Sequence, residues 1–278
     1  MNSPISRRAV TASLLAGAAV LATPGAAFSA PAPADNHSAD PHQRPGKPTI
    51  VLIHGAFADA SSWSLVVERL QRQGHHVLAP ALPLRGLTSD ATYIRSVLDS
   101  IPGPIVLVGH SYGGAVISQA AAGVPRVKAL VYIAAFVPDI GESALELTNK
   151  YPGSTLAQAT STQSYPLPDG GLGEELIIKR NLFREQFADG VPVPTAQVMA
   201  VGQRPISVAA LQEKATVAAW KRIPSWYLVA TEDRNIPPAA EQWMADRARA
   251  RTVTVRAPHA VAVSDPGPVT DLILRAAR

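Results

Sequence analysis

The amino-acid sequence predicts an α/β fold, in which a mostly parallel, doubly wound sheet is flanked by helices. From residue 49 onward, segments of strand length alternate with segments whose apolar residues have helical spacing. The strand-like segments are apolar throughout, which is typical of parallel strands covered on both faces. The alternation stops between residues 138 and 206, where Pro, Gly and polar residues are frequent. This interruption is the natural candidate for a cap or lid over one edge of the sheet.

The predicted elements follow one another in a regular order. Strands are predicted at residues 49–54, 76–80, 104–109, 127–134, 225–230 and 252–257. Helices are predicted at residues 61–73, 88–100, 113–122, 238–250 and 266–276, with helical pieces of the cap near 174–187. Ligands of such open sheets bind beyond the carboxyl ends of the strands. We therefore expect the functional residues directly after the strands, under the cap.

Residues 1–34 predict a signal peptide ahead of this domain. A charged stretch, SPISRR, precedes an apolar run over residues 9–22, which is too short to span a bilayer. The pair Arg7-Arg8 indicates the twin-arginine export route; an ordinary secretory signal and an N-terminal anchor helix are the alternatives. Small residues between 29 and 34 offer cleavage sites, and no Cys follows the run. We expect a secreted or extracytoplasmic protein without a stable membrane anchor.

The remainder divides into a tether and one domain. Residues 35–48 are rich in Pro and polar residues and predict a flexible tether. Residues 49–278 form the predicted domain, with the cap at about 138–206. The chain has no Cys, which excludes disulfides, a thiol nucleophile and a Cys-ligated metal. The formal net charge of +4 is too small and too scattered to indicate a nucleic-acid partner.

The stretch GHSYGG, residues 109–114, places a serine between a predicted strand and a predicted helix. A sharp strand-to-helix turn of this kind holds a nucleophilic hydroxyl clear of the sheet. Gly109 and Gly113 have no side chains, and any side chain at these positions would collide in so tight a turn. Ser111 is therefore the candidate nucleophile, and an ordinary turn with a serine helix cap is the alternative.

A serine hydroxyl needs a base, and the base needs an acid that orients it. His259 follows the last predicted strand, at the same sheet edge as Ser111, and is the candidate base by elimination of the other histidines. The alternative is a loop histidine. Asp233 follows the preceding strand and is the preferred acid. The alternative is that Asp233 serves only as the cap of the next helix. Glu232 and Asp139 remain open as rival acids.

The oxyanion that forms when a nucleophile attacks a carbonyl group is usually held by two backbone N–H groups. The residue after the nucleophile, Tyr112, supplies one such group. The second N–H group is predicted in the loop HGAF after the first strand, with Ala56 as the donor. The alternative is that this loop is an ordinary glycine turn. Three aromatic residues are candidates for the substrate pocket, although each could simply pack the cap onto the body: Phe57, Phe136 and Phe183.

Four motifs together resemble the α/β-hydrolases. VLIHGAF, GHSYGG, TEDRNIPP and APHAV occur in that family's order over residues 49–278. More narrowly, the sequence resembles the branch of plant methyl-ester esterases, plant hydroxynitrile lyases and related bacterial serine hydrolases. The resemblance implies Ser111, Asp233 and His259 as the triad, with Ala56 and Tyr112 as oxyanion donors. It also implies a small helical cap, inserted after the fourth strand, and no metal or cofactor.

Two positions favour an esterase over a lyase within this branch. The lyases carry a Thr directly after the first-strand His and a Lys directly after the catalytic His. Here those positions hold Gly55 and Ala260, and an apolar Ala cannot stabilise a departing cyanide. We therefore expect acyl-enzyme cleavage of small to medium apolar esters. A lyase, a cofactor-free perhydrolase and a non-catalytic small-molecule binding protein are the alternatives, and the oligomeric state is left open.

Overall fold

The computed structural model describes residues 46–278. The predicted signal peptide (1–34) lies outside the described residues, and so does most of the predicted tether (35–48). The strands are β1 (Thr49–Ile53), β2 (Val77–Leu78), β3 (Ile105–Ser111), β4 (Val127–Ala135), β5 (Thr160–Pro166), β6 (Leu172–Ile178), β7 (Ile206–Ser207), β8 (Ser225–Ala230) and β9 (Arg251–Val255). The α-helices are α1 (Ser64–Arg72), α2 (Leu87–Asp99), α3 (Tyr112–Ala120), α4 (Ala144–Thr148), α5 (Leu156–Ala159), α6 (Arg180–Phe187), α7 (Val193–Gly202), α8 (Val208–Gln212), α9 (Pro238–Arg247), α10 (Val261–Ser264) and α11 (Pro266–Ala276). Among residues 46–278, no helix is both long and apolar enough to cross a bilayer.

The main sheet confirms the predicted fold class. Its six strands are all parallel and lie in the order β2-β1-β3-β4-β8-β9. Side chains alternate along each strand between two cores. Ile50 and Leu52 pack with α1 and α11 on one face, whereas Val51 and Ile53 pack with α2, α3 and α9 on the other. This double covering explains why the central strands are apolar at every position.

The cap differs from the prediction of a helical insertion. The chain between β4 and β8 contains helices α4 to α8, but also a three-stranded antiparallel sheet in the order β5-β6-β7. Residues 174–178, predicted as helical, belong to β6. The stretch PDGG over residues 168–171 turns the chain between β5 and β6, and Leu167 N donates to Gly171 O at 2.9 Å. Pairing across this hairpin stabilises strands that the local sequence pattern does not indicate.

Candidate active site

Ser111 lies where β3 meets α3, in a backbone conformation that side chains rarely adopt. Its φ is 53° and its ψ is −124°, and such conformations typically cost about 1–3 kcal/mol. The flanking glycines make the tight turn possible. A Cβ on Gly109 would lie 2.6 Å from the carbonyl oxygen of Gly113, and a Cβ on Gly113 would lie 2.5 Å from that of Ile53. The turn therefore requires glycine at both positions.

His259 and Asp233 form a buried pair at the same edge of the sheet. His259 Nδ1 donates to Asp233 Oδ2, and both side chains are almost completely excluded from solvent. Asp233 Oδ1 accepts two backbone hydrogen bonds, from Asn235 N at 2.6 Å and Ile236 N at 3.0 Å. These contacts fix the carboxylate plane and leave Nε2 as the imidazole nitrogen that can act as a base.

The two rival acids lie elsewhere. Glu232 forms an ion pair with Arg256, joined by an Oε1–Nε contact of 2.7 Å on the exposed side of the loop. Asp139 forms an ion pair with Lys221 at 2.5 Å. Of the three carboxylates that the sequence left open, the structure brings only Asp233 to His259, judged over the described residues.

His110 contacts both the backbone and the ring of His259. Its Nε2–H donates to the carbonyl oxygen of His259 at 2.9 Å, and the two rings lie 4.6 Å apart. Complete burial, followed by the nearby His259, lowers the pKa of His110 well below its usual value. His110 is therefore a neutral donor that holds the His259 backbone. Its position directly before Ser111 does not suggest this role, because neighbouring strand residues point to opposite faces.

Phe187 and His110 pack around the imidazole of His259. The ring of Phe187 lies 5.1 Å from that of His259, and His110 directly precedes Ser111 in the chain. Among the described residues, no hydrogen bond joins the Ser111 hydroxyl to His259. Such bonds commonly tighten only when substrate is bound. Ser111 and the His259–Asp233 pair follow strands of the same sheet, and a serine, a histidine and an aspartate are the residue types that acyl transfer uses.

Two backbone N–H groups beside Ser111 are free to bind an oxyanion. Phe57 N donates to Arg204 O at 3.0 Å, so this amide is already engaged. Ala56 N and Tyr112 N donate no hydrogen bond within the described chain, and Tyr112 is the first residue of α3, where amides have no helical partner. A Cβ on Gly55 would lie 2.6 Å from Ser111 Cβ. The absence of that side chain lets the Ala56 loop approach the nucleophile.

His54 holds this loop in place. Its Nδ1 contacts Gly55 O at 2.8 Å, and its Nε2 accepts a hydrogen bond from Leu82 N at 2.8 Å. Burial lowers the pKa of His54. A neutral imidazole with its proton on Nδ1 satisfies both contacts, so His54 serves the loop and is not a second base.

Tyr112 is anchored by a buried carboxyl group that no sequence motif indicates. Its phenol donates to Asp90 Oδ2 at 3.0 Å, and Asp90 is completely buried. Burial raises the pKa of Asp90 to about 6, although the Tyr112 hydrogen bond and nearby backbone amides oppose the shift. In the sequence, Asp90 reads as an ordinary acid in the first turn of a helix. The hydrogen bond to Asp90 therefore holds the side chain of Tyr112 in place next to the Ser111 turn.

A cavity of about 240 Å³ opens beside Ser111 between the body and the cap. Of the three predicted pocket residues, Phe57 and Phe136 line it. Phe183 does not: its ring is fully buried and packs against Phe187 at 5.1 Å, because α6 turns this face toward the body. The lining is mostly apolar with a polar minority, and comprises Ala56, Phe57, Ser111, Tyr112, Phe136, Leu145, Thr148, Asn149, Ser154, Leu156, Ala157, Gln158, Thr160, Leu176, Leu211, Asn235 and Ile236.

The cap is tied to the loops that carry the acid and the base. Ala260 N, next to His259, donates to Phe187 O at 2.9 Å, and Thr155 N donates to Arg234 O at 3.0 Å. The cap therefore encloses the cavity and also braces the loops of the buried pair.

A strained serine at the carboxyl edge of a parallel sheet, with a capped cavity and a His–Asp pair beside it, defines an α/β-hydrolase. The chain belongs to the alpha/beta hydrolase family, whose model matches residues 50–272. It is similar to the alpha/beta hydrolase nvfD of Aspergillus novofumigatus, with 27% identity over 255 residues, covering 83% of this chain and 97% of that protein. It is also similar to methylesterase 1 of Arabidopsis thaliana, with 25% identity over 221 residues, covering 72% and 84%.

Solved structures show the same architecture. Polyneuridine aldehyde esterase superposes with a TM-score of 0.72 at 21% sequence identity, over 84% of this chain and 100% of that one. At this identity the likeness concerns the fold. It extends over the cap as well as the body, because the shared region is almost the whole described chain.

Proposed function

We propose that this protein is a serine hydrolase that cleaves carboxylic esters of small to medium apolar substrates through an acyl-enzyme. The observation that carries the proposal is the strained backbone of Ser111, beside a buried His259–Asp233 pair. A strained conformation persists only where the surrounding structure imposes it, and it is frequent at catalytic sites. The esterase and methylesterase names among the relatives support the same reaction class.

In the first half of the reaction, His259 Nε2 takes the hydroxyl proton as Ser111 Oγ attacks the ester carbonyl carbon. The carbonyl π electrons move onto oxygen, and the oxyanion accepts hydrogen bonds from Ala56 N and Tyr112 N. The tetrahedral intermediate then collapses, the ester C–O bond breaks, and the imidazolium returns its proton to the departing alcohol. Asp233 stabilises the positive imidazolium throughout.

In the second half, water takes the place of the alcohol. His259 removes a proton from the water, which attacks the acyl carbonyl, and the same two amides hold the oxyanion. The bond to Ser111 Oγ breaks, and the serine recovers its proton from His259. The products are the acid and the free enzyme. No step needs a metal or a cofactor.

The cavity supports a small to medium substrate with apolar groups. A volume of about 240 Å³ lies just below the usual range of small-molecule pockets. Phe57, Phe136, Leu145 and Leu156 offer contacts to an acyl chain or an alcohol group. We therefore expect short and medium acyl chains to be preferred over long ones.

The decisive experiment compares wild-type protein with Ser111→Ala on nitrophenyl esters of increasing acyl length. We expect hydrolysis by the wild type, background rates from the variant, and labelling of the wild type alone by a fluorophosphonate probe. Equal rates in the two proteins would refute the proposal. Failure of the wild type to be labelled would instead favour a non-catalytic binding protein.

The same preparation tests the lyase and perhydrolase alternatives. Ala260 follows the base and is only 3% exposed, so this position offers no positive charge to a departing cyanide. We expect no cleavage of mandelonitrile and no peroxide-dependent halogenation. Activity in either assay that exceeds ester hydrolysis would replace the esterase assignment.

We also propose that the protein is exported through its first 34 residues, on the twin-arginine route. The proposal rests on the pair Arg7-Arg8 and on the short apolar run that follows. Fractionation of cells that express the full chain should place the processed protein outside the cytoplasm. A double Arg→Lys variant of the pair should retain it inside, and unchanged export of that variant would point to the ordinary secretory route.

A further inference from the structure

Glu241 is a carboxyl group buried beneath the active site, and no sequence motif points to it. It lies on α9, which packs against β8, and its side chain is completely excluded from solvent. Its Oε2 accepts a hydrogen bond from Ala230 N at 3.0 Å, while Oε1 has no donor among the described residues. No basic side chain in the described chain forms an ion pair with it. A buried Glu with so few partners needs an explanation.

The neighbour that explains it is Asp233. Ala230 links the two acids, because its N–H donates to Glu241 Oε2 at 3.0 Å and its carbonyl oxygen accepts from Asp233 N at 3.2 Å. The side chain of Asp233 is the acidic neighbour of the Glu241 carboxyl group. The other titratable group that faces Glu241 is the phenol of Tyr227, which donates instead to Ala135 O at 2.5 Å. Two carboxylates cannot hydrogen-bond to each other, because neither has a proton to donate. The contact is favourable only if one of the two carries a proton.

The proton belongs on Glu241 and not on Asp233. Asp233 already accepts hydrogen bonds from two backbone N–H groups and from His259, and a carboxylate without a proton can accept all three. Glu241 accepts from a single backbone N–H. Burial, followed by the negative charge of Asp233, raises the pKa of Glu241 well above its usual value. The asymmetry of donors therefore assigns one acid and one carboxylate.

We propose that Glu241 is a positioning residue whose carboxylic acid O–H donates a hydrogen bond to the carboxylate of Asp233. This inference rests on the proposed serine mechanism, because it gives Glu241 a role through Asp233 and His259. The carboxylate then has four donors: two backbone amides, the imidazole of His259 and the acid of Glu241. A neutral donor fixes the carboxylate without adding charge beside the imidazolium that forms during the reaction.

The matched variants are Glu241→Gln and Glu241→Met, which have similar volumes. Gln keeps a donor for Asp233 and an acceptor for Ala230 N, whereas Met keeps neither. We expect Gln to retain kcat within about threefold. Met should lower kcat by about 10- to 100-fold, the range expected for loss of a hydrogen bond to a charged group. KM should change little in either variant, because Glu241 does not line the cavity. Equal losses in Gln and Met would overturn the proposal.

A measurement independent of activity tests the proton directly. Infrared difference spectra of wild type minus Glu241→Gln at pH 8 should contain the carbonyl band of a protonated carboxylic acid. At that pH the carboxyl of Asp90 is ionised, since its pKa is about 6. Glu68→Gln, a change at an exposed carboxylate paired with Arg72, should give no such band.

The infrared result separates this inference from the proposed function. Absence of the band from the difference spectrum would show that Glu241 is ionised and would refute the positioning role, even in an active esterase. Presence of the band in a protein without esterase activity would refute the serine mechanism and leave the acid–carboxylate contact standing. The measurement also covers the case in which Glu241→Met does not fold.

Discussion

Replacement of Asp90 by Asn should make the stability of this protein less dependent on pH. Asp90 lies on α2, completely buried, and accepts the phenol hydrogen bond of Tyr112 at 3.0 Å. Burial raises its pKa from 3.8 to about 6 in the folded protein. An Asn side chain has nearly the same shape and cannot titrate.

The magnitude follows from the difference between the folded and unfolded pKa values. The folded state binds the Asp90 proton more tightly, so this carboxyl contributes stability that is fully present below pH 3.8 and is lost as the pH rises through 6. The difference, 6 minus 3.8, corresponds to about 3 kcal/mol in total. One pH unit below the folded pKa, about 1.4 kcal/mol of this contribution is present.

The assay is urea unfolding of wild type and Asp90→Asn between pH 5 and pH 8, with the free energy of unfolding extrapolated to water. Other titrating groups cancel in the difference between the two proteins. On going from pH 8 to pH 5, the wild type should gain about 1.4 kcal/mol relative to the variant. Asp99→Asn, at the exposed end of the same helix, is the control and should give a constant difference.

A difference that stays constant from pH 5 to pH 8 for Asp90→Asn would refute the reasoning. It would mean that the backbone amides near Arg85 and the phenol of Tyr112 compensate the ionised carboxylate fully. A folded pKa below 3.8 would also give a constant difference, because Asp90 would then be ionised in the folded and unfolded states over the whole range.

The remaining predictions concern the turn, the base and the cavity. Gly113→Ala should destabilise the protein by more than about 2 kcal/mol, because its Cβ would lie 2.5 Å from a carbonyl oxygen of β1. Thermal unfolding should therefore show a lower Tm for this variant. The control is Gly202→Ala, whose Cβ would meet nothing within 4 Å and which should leave Tm within about two degrees of the wild type. His110→Leu removes the donor to the carbonyl of His259 and should lower kcat about tenfold with little change in KM; equal wild-type and variant kcat would contradict the supporting role. Leu145→Trp should fill the cavity and lower kcat/KM for medium-length acyl esters more than for acetates, and a uniform loss would argue that the acyl chain binds elsewhere.

Several features of this protein could be predicted from local sequence. The alternation of apolar strands and amphipathic helices depends on residues close together in the chain, so the main sheet and its order of elements follow from it. The stretch around Ser111 is equally local, since a strand, a tight turn and a helix follow one another directly. The fold class and the family were therefore predictable without any contact map.

Other features depend on groups that are distant in the chain. The strands β5 and β6 form because they pair with each other, which a helical reading of residues 174–187 could not detect. Phe183 points to the body and not to the cavity, because the packing of α6 decides its direction. Local propensity is a weak guide wherever such pairing and packing compete with it.

The buried carboxyl groups show most clearly which properties follow from the sequence and which depend on tertiary packing. The sequence alone determined that a serine, a histidine and one of three acids lie at one sheet edge. The sequence favoured Asp233 among these acids, and the tertiary structure separates them by burying Asp233 against His259, while Glu232 meets Arg256 at the surface. Only the tertiary structure buried Asp90 and Glu241, which read as ordinary helix acids. The physical reason is that desolvation depends on what surrounds a group in space, and the chain order does not contain that information.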